Sequence, residues 1–148
     1  MRPLPITVSQ WGDQYRILNT ITSAEPGRWK TGRTPYLKGV MDAFTDPLVE
    51  EITVMAASQV GKTEGMYNML GYLIDQDPGP TLMVLPRESD AKSVSYNRVL
   101  PMIEGAGVLR SHINELSDDI TKLEYHLDRM ILYFAGSNSP ADLASRPI

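Results

Sequence analysis

With 148 residues, 42% of them hydrophobic and 22% charged, the chain has the make-up of an ordinary globular protein with one sizeable core, and is too short for two large domains. The absence of cysteine excludes disulfides and thiolate metal sites and fits a reducing compartment. No apolar run reaches bilayer-spanning length, the N-terminus lacks a signal-peptide pattern, and a net charge of −4 does not draw the molecule as a whole to nucleic acid. A cytoplasmic protein is expected.

Residues 1–35 carry Pro3, Pro5, Pro26 and Pro35 with several glycines, a pattern that predicts an extended arm rather than a packed element. One short helix is expected over residues 10–19, capped by Ser9, with Trp11, Tyr15 and Leu18 on one face. Arg28, Lys30, Arg33 and Lys38 gather in one stretch that reads equally as a solvated loop or as a phosphate-contacting patch. Pro35-Tyr36-Leu37 then opens a helix to Phe44, with Leu37, Val40, Met41 and Phe44 on one side, and Asp46-Pro47 stops it. The arm and this helix, residues 1–47, are expected to precede a core formed by residues 48–148.

The stretch Ile52–Ile74, ITVMAASQVGKTEGMYNMLGYLI, predicts a buried strand, a tight polar turn and a helix that begins at Gly61, Lys62 and Thr63. Met66, Met69, Leu70, Leu73 and Ile74 form the apolar stripe of a helix packed on a sheet. A helix start presents unpaired N–H groups and the positive end of the macrodipole, so an anion is attracted before any side chain acts. Lys62 adds a mobile ammonium for outer phosphates, and the Thr63 hydroxyl is placed to ligate the Mg²⁺ of a nucleoside triphosphate. The phosphate-loop consensus G-x-x-x-x-G-K-[ST] is matched from Gly61 onward, but Ala56 stands at its leading glycine, so the turn differs from the usual one or Ala56 ends the strand. Read blandly, Gly-Lys-Thr is an ordinary helix start after a strand. Glu64 suits the helix dipole, and its functional reading stays open.

Asp77-Pro78-Gly79-Pro80 is a turn signal and Thr81–Leu85 a second apolar strand, which completes a βαβ unit whose strands are expected parallel, adjacent in the sheet or separated by one inserted strand, with their loops at one carboxyl edge. Ser89 is expected to cap a helix through Leu100, ended or kinked at Pro101, with loop or irregular helix over 105–121. Asp118-Asp119 reads as a solvated turn in preference to a metal pair. Leu123, Tyr125 and Leu127 alternate with polar residues, Asp128-Arg129 turns, and Met130–Ala135 is continuously apolar: a hairpin whose second strand is buried on both faces. His112 and His126 stand singly and suggest neither a metal site nor a triad. Gly136-Ser137-Asn138-Ser139-Pro140 falls at the ligand edge if the preceding strand joins the same sheet, and Ala141–Ser145 is expected to make a short helical turn.

Taken together, EPGRWKTGRTPYLKGVMDAFTDP at 25–47, QVGKTEGMYNMLGYLIDQDPGP at 59–80, the strand and helix from Leu82 to Met102, and AGSNSPADLASRPI at 135–148 resemble the N-terminal part of the ATPase domain of phage large terminase subunits of the lambda-like GpA family. The resemblance implies an α/β fold: a phosphate-loop NTPase of the RecA type, with a parallel sheet flanked by helices. It implies ATP and Mg²⁺ as ligands, with Ser58, Gln59, Val60, Gly61, Lys62 and Thr63 as a variant phosphate loop. Lys62 would act on the β and γ phosphates as the catalytic lysine, Thr63 on the metal, and Glu64 would lie beside them. Trp29, Arg33 and Tyr36 would lie near the adenine, a role that for the aromatics competes evenly with plain core or surface packing. Ser137–Arg146 would lie at the γ-phosphate edge or the DNA-facing surface.

The resemblance further implies a motor in the host cytoplasm, with double-stranded DNA, a small terminase subunit and a portal protein as partners of a homo-oligomeric ring. Three departures qualify it: Ser58 where many large terminases carry Arg, Pro86-Arg87 where Pro-Thr is expected, and no strand closing in Asp-Glu within residues 1–148. The expectation is therefore a domain truncated before that strand, which binds nucleotide but turns it over poorly. Two other readings stay open at this point: a different NTP-consuming enzyme, helicase-like or a small-molecule kinase, and a non-catalytic assembly module.

Overall fold

The computed structural model describes residues 6–18, 27–55, 62–113 and 120–138. It is a mixed α/β chain that divides into two compact units, residues 1–72 and 73–148. Among the described residues no helix is long and apolar enough to cross a membrane.

The first unit opens with helix α1, Val8–Tyr15. Its cap is Thr7, not the expected Ser9: the Thr7 side chain accepts from the Gln10 N–H while the Gln10 side chain accepts from the Thr7 N–H at 2.9 Å, a reciprocal capping box. The helix stops at Arg16, and Ile17–Leu18 (β1) pairs antiparallel with Gly27–Arg28 (β2), so Leu18 leaves the face it was expected to share with Trp11. A 3₁₀ turn, Thr31–Arg33, leads to helix α2, Leu37–Ala43. The stretch expected to be an extended arm is thus packed where it is described: Val8, Trp29, Leu37 and Met41 form one buried cluster. Asp42 ties α2 to the start of α1, accepting from the Ser9 N–H at 3.1 Å and from Lys38 Nζ at 2.9 Å. Burial pushes the Asp42 carboxyl up, but hydrogen bonds from Ser9, Lys38 and Thr7 outweigh it and hold the group below its ordinary range.

The strand predicted from Ile52 is not formed over Ile52–Met55, and Ala56-Ala57 lie outside the described residues. Thr53, Val54 and Met55 are exposed, Met55 by 98%. β-branched composition suits a strand, but a strand exists only where another pairs with it, and among the described residues none does. Helix α3, Lys62–Gln76, contributes its first turns to the first unit and its last turn to the second. Gly71 allows a close approach in the first unit: a Cβ there would overlap the six-membered ring of Trp11, which is fully buried.

The second unit is a three-stranded sheet in the order β3-β5-β4. Strand β3, Thr81–Leu85, runs parallel to β5, Ile131–Gly136, from Thr81 opposite Leu132 to Leu85 opposite Gly136. Strand β4, Glu124–His126, forms the expected hairpin with β5 around Asp128-Arg129. Residues 132–136 are all buried, as the continuous apolar run predicts. The described parallel neighbour of 81–85 is thus this later strand, in the place that an inserted strand was allowed to take. The crossover is one long helical run, α4 (Glu88–Val94), a π turn (Ser95–Val99) and α5 (Leu100–Gly105), followed by the short α6, Gly107–Arg110. The run starts at Glu88 and passes through Pro101, which follows the π turn and stands in the first turn of α5, where a missing N–H costs least. Tyr125, fully buried against Phe134 at 5.0 Å between ring centroids, donates to the Ser95 carbonyl at 2.7 Å and lies 2.6 Å from the Ser95 hydroxyl.

Gly71→Ala is expected to lower unfolding stability by about 1–3 kcal/mol, because overpacking against Trp11 exceeds the gain of about 1 kcal/mol in helix propensity. Urea unfolding measures the sign. Burial pushes the Tyr125 hydroxyl up from 10.0 to about 12, so the folded protein keeps a proton that the unfolded chain releases. Its stabilising effect is full below pH 10 and is lost as the pH rises towards about 12. Tyr125→Phe should cost about 1 kcal/mol at neutral pH and flatten that alkaline fall, as read by thermal melts across the range.

Candidate functional site

Helix α3 begins at Lys62, so Lys62 and Thr63 occupy its first turn, where N–H groups lack intrahelical partners and the dipole is positive. Ser58, Gln59, Val60 and Gly61 lie outside the described residues. Thr63 is exposed and lines a cleft of about 590 Å³. One wall is the outer face of α2, with Leu37, Val40 and Phe44; another is the irregular segment from Val49 to Val54; α3 supplies Gly65, Met66 and Met69. The cleft is apolar apart from Thr63 and Glu50. A flat apolar group fits such a space, and an anion fits the helix turn at its Thr63 end.

Glu64 faces another way. Its carboxylate is ion-paired with Arg16 at 2.6 Å, and Arg16 is only 5% exposed. The same guanidinium donates to Asn68 Oδ1 at 2.8 Å, and Asn68, fully buried, donates to Met41 Sδ at 3.4 Å. Arg16 carries no local sequence signature, so sequence reasoning passed over it; its partners lie 48 and 52 residues away.

Trp29, Arg33 and Tyr36, the three residues tied to adenine by resemblance, differ in exposure. Trp29 is buried in the core, its indole N–H donating to Thr31 Oγ1 at 3.0 Å. Arg33 is exposed on the 3₁₀ turn, and Tyr36, 59% exposed at the start of α2, does not line the cleft, whereas Leu37 beside it does.

In the second unit, the parallel register of β3 and β5 brings Leu85-Pro86-Arg87 and Gly136-Ser137-Asn138 to one carboxyl edge. Ser137 fastens them: its N–H donates to the Leu85 carbonyl at 2.8 Å and its hydroxyl to the Pro86 carbonyl at 3.1 Å. Arg87 is exposed there, immediately before α4. Ser139–Arg146, and with them the remainder of the stretch assigned to the γ-phosphate edge, lie outside the described residues, as do Asp118 and Asp119. His112, which stands alone in the sequence, has company in space: Asp128 lies 2.9 Å from Nδ1 and Asp75 3.0 Å from Nε2. No group of three or more His, Cys, Asp or Glu side chains suited to a metal ion occurs among the described residues.

Fold and site together define an α/β domain with an anion-favouring helix start beside an apolar cleft. The chain belongs to the family described as phage terminase large subunit gpA, ATPase domain, whose model matches residues 23–148. It is also similar to a protein named "Terminase, large subunit" from Enterobacteria phage P21, 28% identical over 101 residues that make up 68% of this chain and 15% of that relative. The chain thus spans about 15% of the length of the curated relative it matches. No solved structure matches it.

Gly136 ends β5 where a Cβ would run into the backbone of Arg87 and Glu88. Gly136→Ala is expected to push the two edge loops apart and cost about 1–3 kcal/mol, visible as a lowered melting temperature.

Proposed function

We propose that this chain is the nucleotide-binding portion of a viral DNA-packaging motor, built on a phosphate-loop NTPase fold of the RecA type, with ATP and Mg²⁺ as its ligands. The observation that carries the reading is that Lys62 and Thr63 stand in the first turn of α3, with Thr63 on the cleft. Main-chain N–H groups of Ser58–Gly61 cradle the phosphates, and Lys62 neutralises charge on the β and γ positions as the catalytic lysine. Mg²⁺ accompanying a nucleotide takes few protein ligands and fills its shell with phosphate oxygens and water, so a lone exposed Thr63 hydroxyl fits it. When bound, the metal offsets negative charge on the phosphates. The adenine is assigned to the apolar cleft over Leu37, Val40 and Phe44, next in sequence to Tyr36.

In the whole protein the motor would move double-stranded DNA into a procapsid in the host cytoplasm. It would work as a homo-oligomeric ring with a small terminase subunit and a portal protein. Family membership and the similarity to a large terminase subunit support that reading over a helicase-like enzyme or a kinase.

Calorimetric titration of the chain with Mg²⁺-ATP is expected to show weak binding that Lys62→Ala reduces by at least about tenfold, the loss of one charge-assisted phosphate contact. Equal heats for the two proteins would remove the phosphate cradle.

A further inference from the structure

We infer that Arg16 is a positioning residue for the phosphate-binding turn of α3, acting through Glu64. The inference rests on the nucleotide reading above and adds to it a residue far from the Gly-Lys-Thr in sequence.

The geometry is that of a fork across one helical turn. Arg16 Nη2 bonds Glu64 Oε2 at 2.6 Å, and Nη1 bonds Asn68 Oδ1 at 2.8 Å with a longer reach to the Glu64 carbonyl at 3.5 Å. Glu64 and Asn68 stand four residues apart and so share one face of α3. Glu64 follows Thr63 directly, so whatever fixes its azimuth around the helix axis also fixes the direction taken by Thr63.

The fork is itself anchored. The Arg16 N–H closes α1 on the Gly12 carbonyl at 3.0 Å, its carbonyl accepts from the Trp29 N–H at 2.9 Å, and its guanidinium lies 6.0 Å from the centre of the Trp29 ring. Two features argue for orientation over mere stability. Arg16 Nε is buried and finds no acceptor among the described residues, an arrangement that sacrifices a hydrogen bond. First turns of helices also fray, so a turn that must hold an anion gains most from an external brace.

Charge points the same way. An unpaired Glu64 carboxylate one residue from Thr63 would repel a triphosphate, and the Arg16 guanidinium cancels it within the protein. Lysine replaces the charge but not the planar two-armed fork.

Arg16→Met, Arg16→Lys, Glu64→Gln and Lys62→Ala proteins are compared by Mg²⁺-ATP titration, alongside amide hydrogen exchange without nucleotide. Helical geometry makes the amides of Met66, Tyr67 and Asn68 report on the carbonyls of residues 62, 63 and 64. Arg16→Met is expected to weaken binding and to speed exchange at those three amides by about tenfold each, leaving Leu73 and Ile74 unchanged, because slight misplacement of a binding group is costly. Arg16→Lys should fall between Arg16→Met and wild type. Glu64→Gln added to Arg16→Met should cost nothing more, since the like charge is then gone as well.

A merely structural arginine would lower the melting temperature while leaving the affinity of the folded protein unchanged; that result, or wild-type exchange at residues 66–68, overturns the inference. Should Arg16→Met fail to fold, Arg16→Lys and Glu64→Gln carry the same comparison. A wild-type protein that gives no heat with Mg²⁺-ATP sinks the nucleotide reading and this inference with it. Binding that depends on Lys62 but not on Arg16 sinks this inference alone.

Discussion

Glu64, Asn68 and Gly71 lie on one face of α3, at spacings of four and three residues, and each meets a different kind of surface in the first unit. Glu64 meets the Arg16 guanidinium, Asn68 meets both Arg16 and the Met41 sulfur, and Gly71 meets the edge of Trp11. The polar contacts are directional and fix how far the helix is rotated. The glycine notch is a distance constraint and fixes how close the helix lies, since an indole leaves no room for a Cβ. A helix fixed in both respects has its first turn fixed too, and the first turn carries Lys62 and Thr63.

The second unit solves a different problem with the same economy. Its centre is β5, buried along most of its length and flanked by a parallel strand on one side and a hairpin strand on the other. Parallel pairing makes the loops after β3 and β5 neighbours, and Ser137 and Gly136 then hold those loops close, one by hydrogen bonds and the other by having no side chain. Buried polar groups here are bonded in pairs: the Tyr125 hydroxyl with Ser95, the His112 ring with Asp75 and Asp128. The hairpin turn at Asp128-Arg129 is thereby tied to the last turn of α3 twice, through His112 and through Arg129 Nη2 donating to the Asp75 carbonyl at 2.9 Å.

Much of this was legible in local pattern. The pattern after the Gly-Lys-Thr foretold helix α3, although Met66 of its expected apolar stripe is 51% exposed; the Asp-Pro-Gly-Pro run foretold the start of β3, and the alternation around Asp128-Arg129 the hairpin. Sequence failed wherever a local preference had to be ratified by a distant partner. Ile52–Met55 has strand composition but, among the described residues, no strand beside it. Prolines and glycines near the N-terminus suggested an open arm, yet Trp11 and Trp29 found buried places there. Ser9 looked like a cap, but a capping box needs Gln or Glu three residues on, and Thr7 with Gln10 meets that condition. Pro101 was expected to end or kink the helix, and the helical run continues past it after a π turn. Arg16 gave no signal at all, because its meaning lies in residues about fifty positions away.

The basic stretch illustrates how placement decides between readings that composition leaves level. Lys38 is spent on Asp42 four residues along α2, and Arg28 donates to the Asp13 and Gln14 carbonyls at 3.1 and 3.2 Å. Two of the four cations therefore serve the fold of the first unit, which weakens the case for a phosphate-contacting patch built from all four. On the proposed nucleotide reading, the pull on a triphosphate would then come mainly from the start of α3, where backbone dipoles and one lysine would act at short range. With that little charge, the site tolerates few errors in its geometry: a carboxylate left unpaired beside Thr63, or a first turn free to rotate, would offset most of what one lysine supplies.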